Sequence, residues 1–257
     1  MAAHESPLTT RLNDRTSDEM AFYEIYRRIR RLLTKSFIKK AKKRRILKHV
    51  TIEDRFTEIY KLLWWQSKES VSGVGSELAQ TEDIRKHLPI LLKTLSIESV
   101  FDAPCGDFNW MKYVLSSCQV NYIGGDIVLP IVDNLNKTYV SENIRFIHID
   151  LTKDLYPTAD LMIVRDCFVH LSFADTKAFI RNFVDSDIKY LLASTYVNLN
   201  YFENRDIKTG DFRGVDLFSE PYNFPKDVLS RFPDRTNIEM CLWNKEQIGS
   251  ALRRFSS

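Results

Sequence analysis

Three aspartates at equal spacing, Asp102, Asp126 and Asp150, each close an apolar stretch of strand length. Carboxylates are poor filling for the end of an apolar sheet, because a buried anion needs a partner. Together at one rim they suit a ligand that offers an ammonium, a pair of ribose hydroxyls and an exocyclic amine. The first stands in Phe101-Asp102-Ala103-Pro104-Cys105-Gly106-Asp107, where a strand must end, turn at Gly106 and enter a helix. The second follows Gly124-Gly125 and precedes Ile127; the third precedes Leu151. A dinucleotide would ask this first turn for GxGxxG and for a helix start free of negative charge, whereas the turn has one glycine and acids at 102 and 107. No GxxxxGK[ST] run is present either. Each residue also has a purely structural reading: Gly106 and Gly124 as turn formers, Asp107 as a helix cap, and Asp126 and Asp150 as acceptors for backbone donors.

A second group is Arg165-Asp166-Cys167-Phe168-Val169-His170-Leu171. A helical turn begun at Asp166 would put residues 166 and 170 on one face. An imidazole titrates near neutral pH, so His170 is the expected general base toward a hydroxyl, with Asp166 orienting it or holding the acceptor; the reverse assignment stays open. Arg165 is expected to tie down a carboxylate or a loop, or to meet a phosphate. Cys105 reads as a small packing residue rather than a nucleophile, since no base is evident beside it. No metal is expected. Asp126, Asp150, Asp166, His148 and His170 belong to different strands and form no compact ligand motif.

The elements that must position these groups follow from periodicity. Short apolar runs at 99–102, 121–126, 144–150, 161–166 and 189–195 alternate with helix-length stretches near 109–118, 130–140 and 173–185. That alternation predicts an α/β fold: a Rossmann-like, doubly wound, mostly parallel sheet with helices on both faces, which binds ligands beyond the carboxyl ends of its strands. Upstream, residues 52–65 have helical spacing, and Thr81 is expected to cap a helix carrying Ile84, Leu88, Leu91, Leu92 and Leu95, with Pro89 as a kink. Residues 237–243 read as a late strand followed by a short helix.

The stretch 98–197 resembles the class I S-adenosylmethionine (SAM)-dependent methyltransferases, in the version with Asp102-x-x-Cys105-Gly106-Asp107 at the first turn. The resemblance implies seven strands, one reversed, with SAM as cofactor. It assigns Asp102, Ala103, Cys105, Gly106 and Asp107 to the methionine portion, Asp126 with Ile127 to the ribose, and Asp150 with Leu151 to the adenine. The missing extra glycines, replaced by Pro104 and Asp107, are a departure from the family pattern. Ser72, Gly73, Gly75 and Ser76 are expected to close over the methionine carboxylate, and Arg165 to join the cofactor set. A broader likeness, through Gly73-x-Gly75-Ser76 and Arg165-Asp166-x-x-x-His170-Leu171, is to methyltransferases of bacterial glycan and polysaccharide synthesis. It implies O-methylation of a glycosyl or phosphorylated acceptor. The polar segment 196–223 would then supply Asn198, Asn200, Tyr201, Asn204 and Arg213 for that acceptor. Protein or nucleic-acid N-methylation and a non-catalytic membrane- or RNA-binding scaffold are the alternatives, and no Asn/Asp-Pro-Pro-aromatic motif supports nucleic-acid amino methylation.

The composition, 44% apolar and 28% charged, excludes a wholly disordered chain. A formal charge of +3 hides an asymmetry: between Arg27 and Lys48 stand twelve Lys or Arg and no acid. With Phe22, Ile25, Tyr26, Ile29, Leu32, Leu33 and Phe37 on one side, residues 20–38 predict a basic amphipathic helix. It is expected to pack on the core or to lie on an anionic membrane surface, with nucleic acid less favoured. The expected division is a lead and helical extension over 1–50 and a methyltransferase domain over 51–257. Four cysteines without a CxxC pair and no apolar leader lead to a cytoplasmic expectation, with peripheral membrane contact open and the oligomeric state undetermined.

Overall fold

The computed structural model describes residues 17–255, with side chains incompletely described in the first part of the first helix. The expected polar lead therefore lies almost entirely outside the described residues. The chain divides into two compact units, Met1–Arg44 and Arg45–Ser257. In the first, helix α1 (Ser17–Leu47) begins, and Arg28, Arg30, Lys39 and Lys40 are exposed together with Ile25, Phe37 and Ile38. No helix among the described residues is long and apolar enough to cross a membrane.

The second unit holds a seven-stranded sheet of order β3-β2-β1-β4-β5-β7-β6. Strands β1 (Ser99–Asp102), β2 (Asn121–Asp126), β3 (Ile144–His148), β4 (Leu161–Val164) and β5 (Tyr190–Tyr196) pair in parallel. Strand β7 (Ile238–Asn244) runs antiparallel to β5 and to the edge strand β6 (Ser230–Arg235). This is the doubly wound, mostly parallel sheet that the sequence pattern predicts, and its seven strands with one reversed are those that the resemblance implies. β4 and most of β1 and β5 are buried, as expected where helices cover both faces. One apolar core gathers Phe179, Ile180 and Phe183 of α6 (Phe173–Asp185) with Ile248 and Ala251 of α7 (Lys245–Arg254). The other gathers α3 (Glu82–Thr94), α4 (Met111–Leu115) and α5 (Leu129–Thr138) on the opposite face.

Three local expectations are corrected. Thr51, not Thr81, is a side-chain cap: its hydroxyl accepts from Asp54 N at 3.0 Å and starts α2 (Ile52–Lys61), while the Thr81 hydroxyl turns back to the Glu77 carbonyl. Asp166 begins no helical turn. It has φ +54°, and a single 3-10 turn follows at Phe168–His170. Asp150 and Asp166 lie two residues beyond their strands, so only Asp102 and Asp126 are true strand ends.

Candidate active site

A cleft open to solvent lies beyond the carboxyl ends of β1, β2 and β4. Its floor is the turn from β1. Gly106 has φ +55°, a backbone state that suits glycine, and a Cβ there would lie 2.1 Å from the Ser72 hydroxyl. The close approach brings the 70–76 loop over the turn. Asp107 fastens it: its carboxylate accepts from Ser70 Oγ at 2.9 Å, Val71 N at 2.8 Å and Ser72 Oγ at 3.3 Å. A second clip joins Glu69 to Asn109 at 2.6 Å. Asp107 thus ties the loop down outside the cleft lining, and buried Ala103 also lies outside it. From the loop, Ser72 and Ser76 line the cleft, while Gly73 packs against Trp65 and Gly75 against the Asp166 carboxylate.

The three spaced aspartates all reach the cleft, in different states. Burial pushes Asp102 up to about 7, against the Tyr122 hydroxyl donating to it at 2.7 Å and the charge of Arg165. Burial also lifts Asp126 to about 6, although its oxygens accept from Val128 N at 2.9 Å and Gly106 N at 3.0 Å. For Asp150 burial acts upward, but hydrogen bonds from Lys153 at 2.8 Å and Thr152 at 2.7 Å outweigh it and hold the carboxyl below its usual range. Cys105 lines the floor as a buried thiol that burial pushes well up, a packing group rather than a thiolate. Ile127, Val128, Ile131 and Leu151 form an apolar wall beside Asp126 and Asp150.

At the other end stands a cluster of two cations and two anions. Arg235 Nη2 donates to both oxygens of Asp166 at 2.8 Å, and its Nη1 to Asp234 at 2.7 Å. Arg165 Nε donates to Asp234 at 2.9 Å, and its guanidinium lies 5.7 Å from the Trp110 ring. Burial acts to raise Asp166, but Arg165 and Arg235 outweigh it and keep the carboxylate ionised. The Nη2 of Arg165 is fully buried and has no hydrogen-bond partner among the described residues, and Arg165 lines the cleft.

His170 lines the same cleft. Its Nδ1 stands 2.8 Å from the Asp211 carbonyl oxygen, which can only accept. Nδ1 is therefore the protonated nitrogen, and Nε2 carries the lone pair. Burial lowers the His170 pKa, against that hydrogen bond and the charge of Asp166, so the ring is neutral at pH 7. Trp65, Phe212 and Phe56 surround it, with ring centroids at 5.3, 5.7 and 6.5 Å.

The residues expected to bind the acceptor do not meet at this cleft. Asn198 donates to the Phe202 carbonyl at 2.9 Å and to Asp216 at 3.1 Å, and Asn204 bonds the backbone of 216 and 220, so both shape the long segment itself. Arg213 is buried, bonded to the Leu171 carbonyl and the Tyr222 hydroxyl. Tyr201 is exposed, and Asn200 lines a separate open depression with Tyr196 and Phe202. His148 faces the Ile127 carbonyl at 2.9 Å and Glu53 at 3.4 Å. Sequence reasoning missed the aromatic lining: helical spacing explained Phe56 and Tyr60 as core, and Trp65 lies beyond α2, which ends at Lys61 rather than running through the expected 52–65. It also missed Asp234 and Arg235, because Pro233 hides the edge strand that carries them.

No family model and no curated protein matches the chain. Among solved structures it is similar to human N-acetylserotonin methyltransferase in complex with SAM, at 16% identity and a TM-score of 0.52, over 75% of this chain and 59% of that one. It is also similar to the methyltransferase domain of bacterial CtHen1-C, at 17% identity and a TM-score of 0.48, covering 65% of this chain and 98% of that one. A third is the mitomycin 7-O-methyltransferase MmcR, at 12% identity and a TM-score of 0.46, covering 57% and 48%. The chain spans 59% of the length of the N-acetylserotonin enzyme. With the strand order above, the first of these likenesses shows the fold: the chain has the fold of that SAM-bound methyltransferase structure.

Proposed function

We propose that the protein is a SAM-dependent methyltransferase that acts on a hydroxyl of a small molecule. The observation that carries this reading is the pairing, in one cleft, of a buried acid, Asp102, with a buried guanidinium nitrogen of Arg165 that has no partner among the described residues. An amino-acid zwitterion satisfies both: its ammonium meets the carboxyl and its carboxylate meets the guanidinium. Asp126, at the end of β2, is placed for a ribose diol, and the wall of Ile127, Val128, Ile131 and Leu151 for a flat purine, with Asp150 at its edge. A diphosphate is disfavoured, because Asp102 and Asp126 face the space it would fill.

When bound, SAM supplies a methyl group already activated by its sulfonium. The protein's share is positioning and proton removal. His170, neutral with Nε2 as its acceptor, takes the proton of the acceptor hydroxyl. Asp166 stays ionised through Arg165 and Arg235 and favours the imidazolium that results. The glycosyl acceptor suggested by the sequence loses its support, since Asn198, Asn204 and Arg213 are occupied in holding their own loop. Calorimetry with SAM and with NAD tests the cofactor: micromolar SAM binding and no NAD binding is expected, and the reverse would overturn the reading. A second element belongs to this proposal. α1 exposes Phe37 and Ile38 beside Lys39 and Lys40, which suits an anionic membrane surface and predicts sedimentation with vesicles containing phosphatidylserine but not with neutral ones.

A further inference from the structure

The surroundings of His170 carry information about the acceptor. Its imidazole is walled by Trp65, Phe56 and Phe212, and the adjoining lining is Ile52, Tyr60 and Leu171. Phe212, 53% exposed and outside the cleft lining, also touches the imidazole, next to the Asp211 carbonyl that fixes the His170 tautomer. A sugar ring would ask this wall for hydrogen-bond partners at each hydroxyl, and an apolar wall leaves such groups unpaired. A flat conjugated ring asks for stacking or edge contacts of the kind these side chains offer.

Resting on the methyltransferase reading, we propose that the acceptor is a planar hydroxyaromatic molecule, held by Trp65 and Phe56 with its hydroxyl at His170 Nε2. The base fits this acceptor class. Burial places His170 below the ordinary 6.5. A phenol titrates near about 10, whereas an aliphatic hydroxyl titrates far higher, in the range of water. So weak a base is matched to the first and badly mismatched to the second. In the step, the phenolic O–H proton passes to Nε2 and an oxygen lone pair forms the new C–O bond to the methyl carbon. The C–S bond breaks with its electron pair going to sulfur, which leaves S-adenosylhomocysteine, an aryl methyl ether and a protonated His170 that then loses its proton to water.

The test uses the full chain, two acceptor panels and two readouts. The first panel is catechol, 1-naphthol and 7-hydroxycoumarin; the second is methyl glucoside, methyl mannoside and glycerol 3-phosphate. Tryptophan fluorescence in the presence of S-adenosylhomocysteine reads acceptor binding, and label transfer from methyl-labelled SAM reads turnover. We expect quenching and transfer with the first panel only. Trp65→Leu should raise KM for the phenols about tenfold, the scale of one aromatic contact with its buried area, with kcat within twofold. Trp65→Phe should restore most of KM. Label transfer to the sugars and not to the phenols would overturn the proposal, as would SAM binding without quenching or transfer by any phenol. Failure to bind SAM at all would instead sink the underlying reading.

Discussion

Replacing Asp102 with Asn separates stability from ligand binding at one atom pair. The carboxyl is 2% exposed and its pKa stands near 7 where an ordinary aspartate has 3.8. A carboxyl whose folded pKa is raised gives stability that is full below the unfolded value and lost as pH rises through the folded one. Three units at about 1.4 kcal/mol each amount to about 4 kcal/mol of destabilisation of the free wild-type protein at pH 8, relative to pH 3. Asn retains an acceptor for the Tyr122 hydroxyl and bears no charge, so Asp102→Asn should unfold at higher urea than wild type at pH 8, with the advantage gone by pH 4. SAM binding should behave oppositely. An ammonium needs the carboxylate, which is about 10% populated at pH 6 and about 90% at pH 8, so wild-type affinity should rise about tenfold across that interval. Binding at pH 6 should release close to one proton, readable by calorimetry in buffers of different ionisation enthalpy. The variant should bind at least about tenfold more weakly at pH 8, the loss of one charge-assisted hydrogen bond, and release no proton from this site. A wild-type affinity that is flat from pH 6 to 8, with no proton release, would refute the assignment of Asp102 to the ammonium.

Other expectations are simpler to check. Because the neutral form of His170 is the active one and burial lowers its pKa, kcat/KM for the acceptor at saturating SAM should rise with pH through a value below 6.5 and level off above it, and His170→Gln should abolish that limb while sparing SAM affinity. Arg235→Gln removes the partner of Asp166 at 2.8 Å and should cost about 2 kcal/mol in chemical denaturation, reduced from the fully buried case because both side chains are partly exposed. Gly106→Ala strains a φ of +55° and drives into Ser72, so it should displace the 70–76 loop, lower SAM affinity more than tenfold and increase proteolysis near Gly73.

The architecture was readable because a doubly wound sheet writes itself as buried strands of four to seven residues between amphipathic helices, and the Asp102, Asp126 and Asp150 spacing marked the rim that carries the cleft. Burial pattern and period carry that information locally. What the pattern could not convey depends on distant chain meeting at one point. Asp107 had the composition of a ligand-contacting acid, yet its oxygens serve Ser70, Val71 and Ser72, a choice made by the path of a loop more than thirty residues upstream. Asn198, Asn204 and Arg213 looked like recognition residues because they are polar, and long polar segments consume such side chains in their own turns. Phe56 and Tyr60 had the opposite fault: their spacing fits a core helix, and nothing local distinguishes a ring facing a core from a ring roofing a cleft. Asp166 and His170 were paired by an assumed helical turn, whereas a positive φ and a 3-10 turn bring them to the cleft.

The last parallel neighbour of the sheet is separated from its outer edge by the reversed strand, and the outer edge is where Asp234 and Arg235 originate. The charge state at the reacting end is therefore set by chain that folds across sixty-nine residues of sequence from Asp166. A protein cut before Ser230 would, among the described residues, leave Arg165 and Asp166 only each other, at 3.5 Å, as counterions. Variation in this edge hairpin among natural or shuffled chains should thus retune proton transfer at His170 and, through the Asp234 bond to Arg165, the hold on the proposed methyl donor.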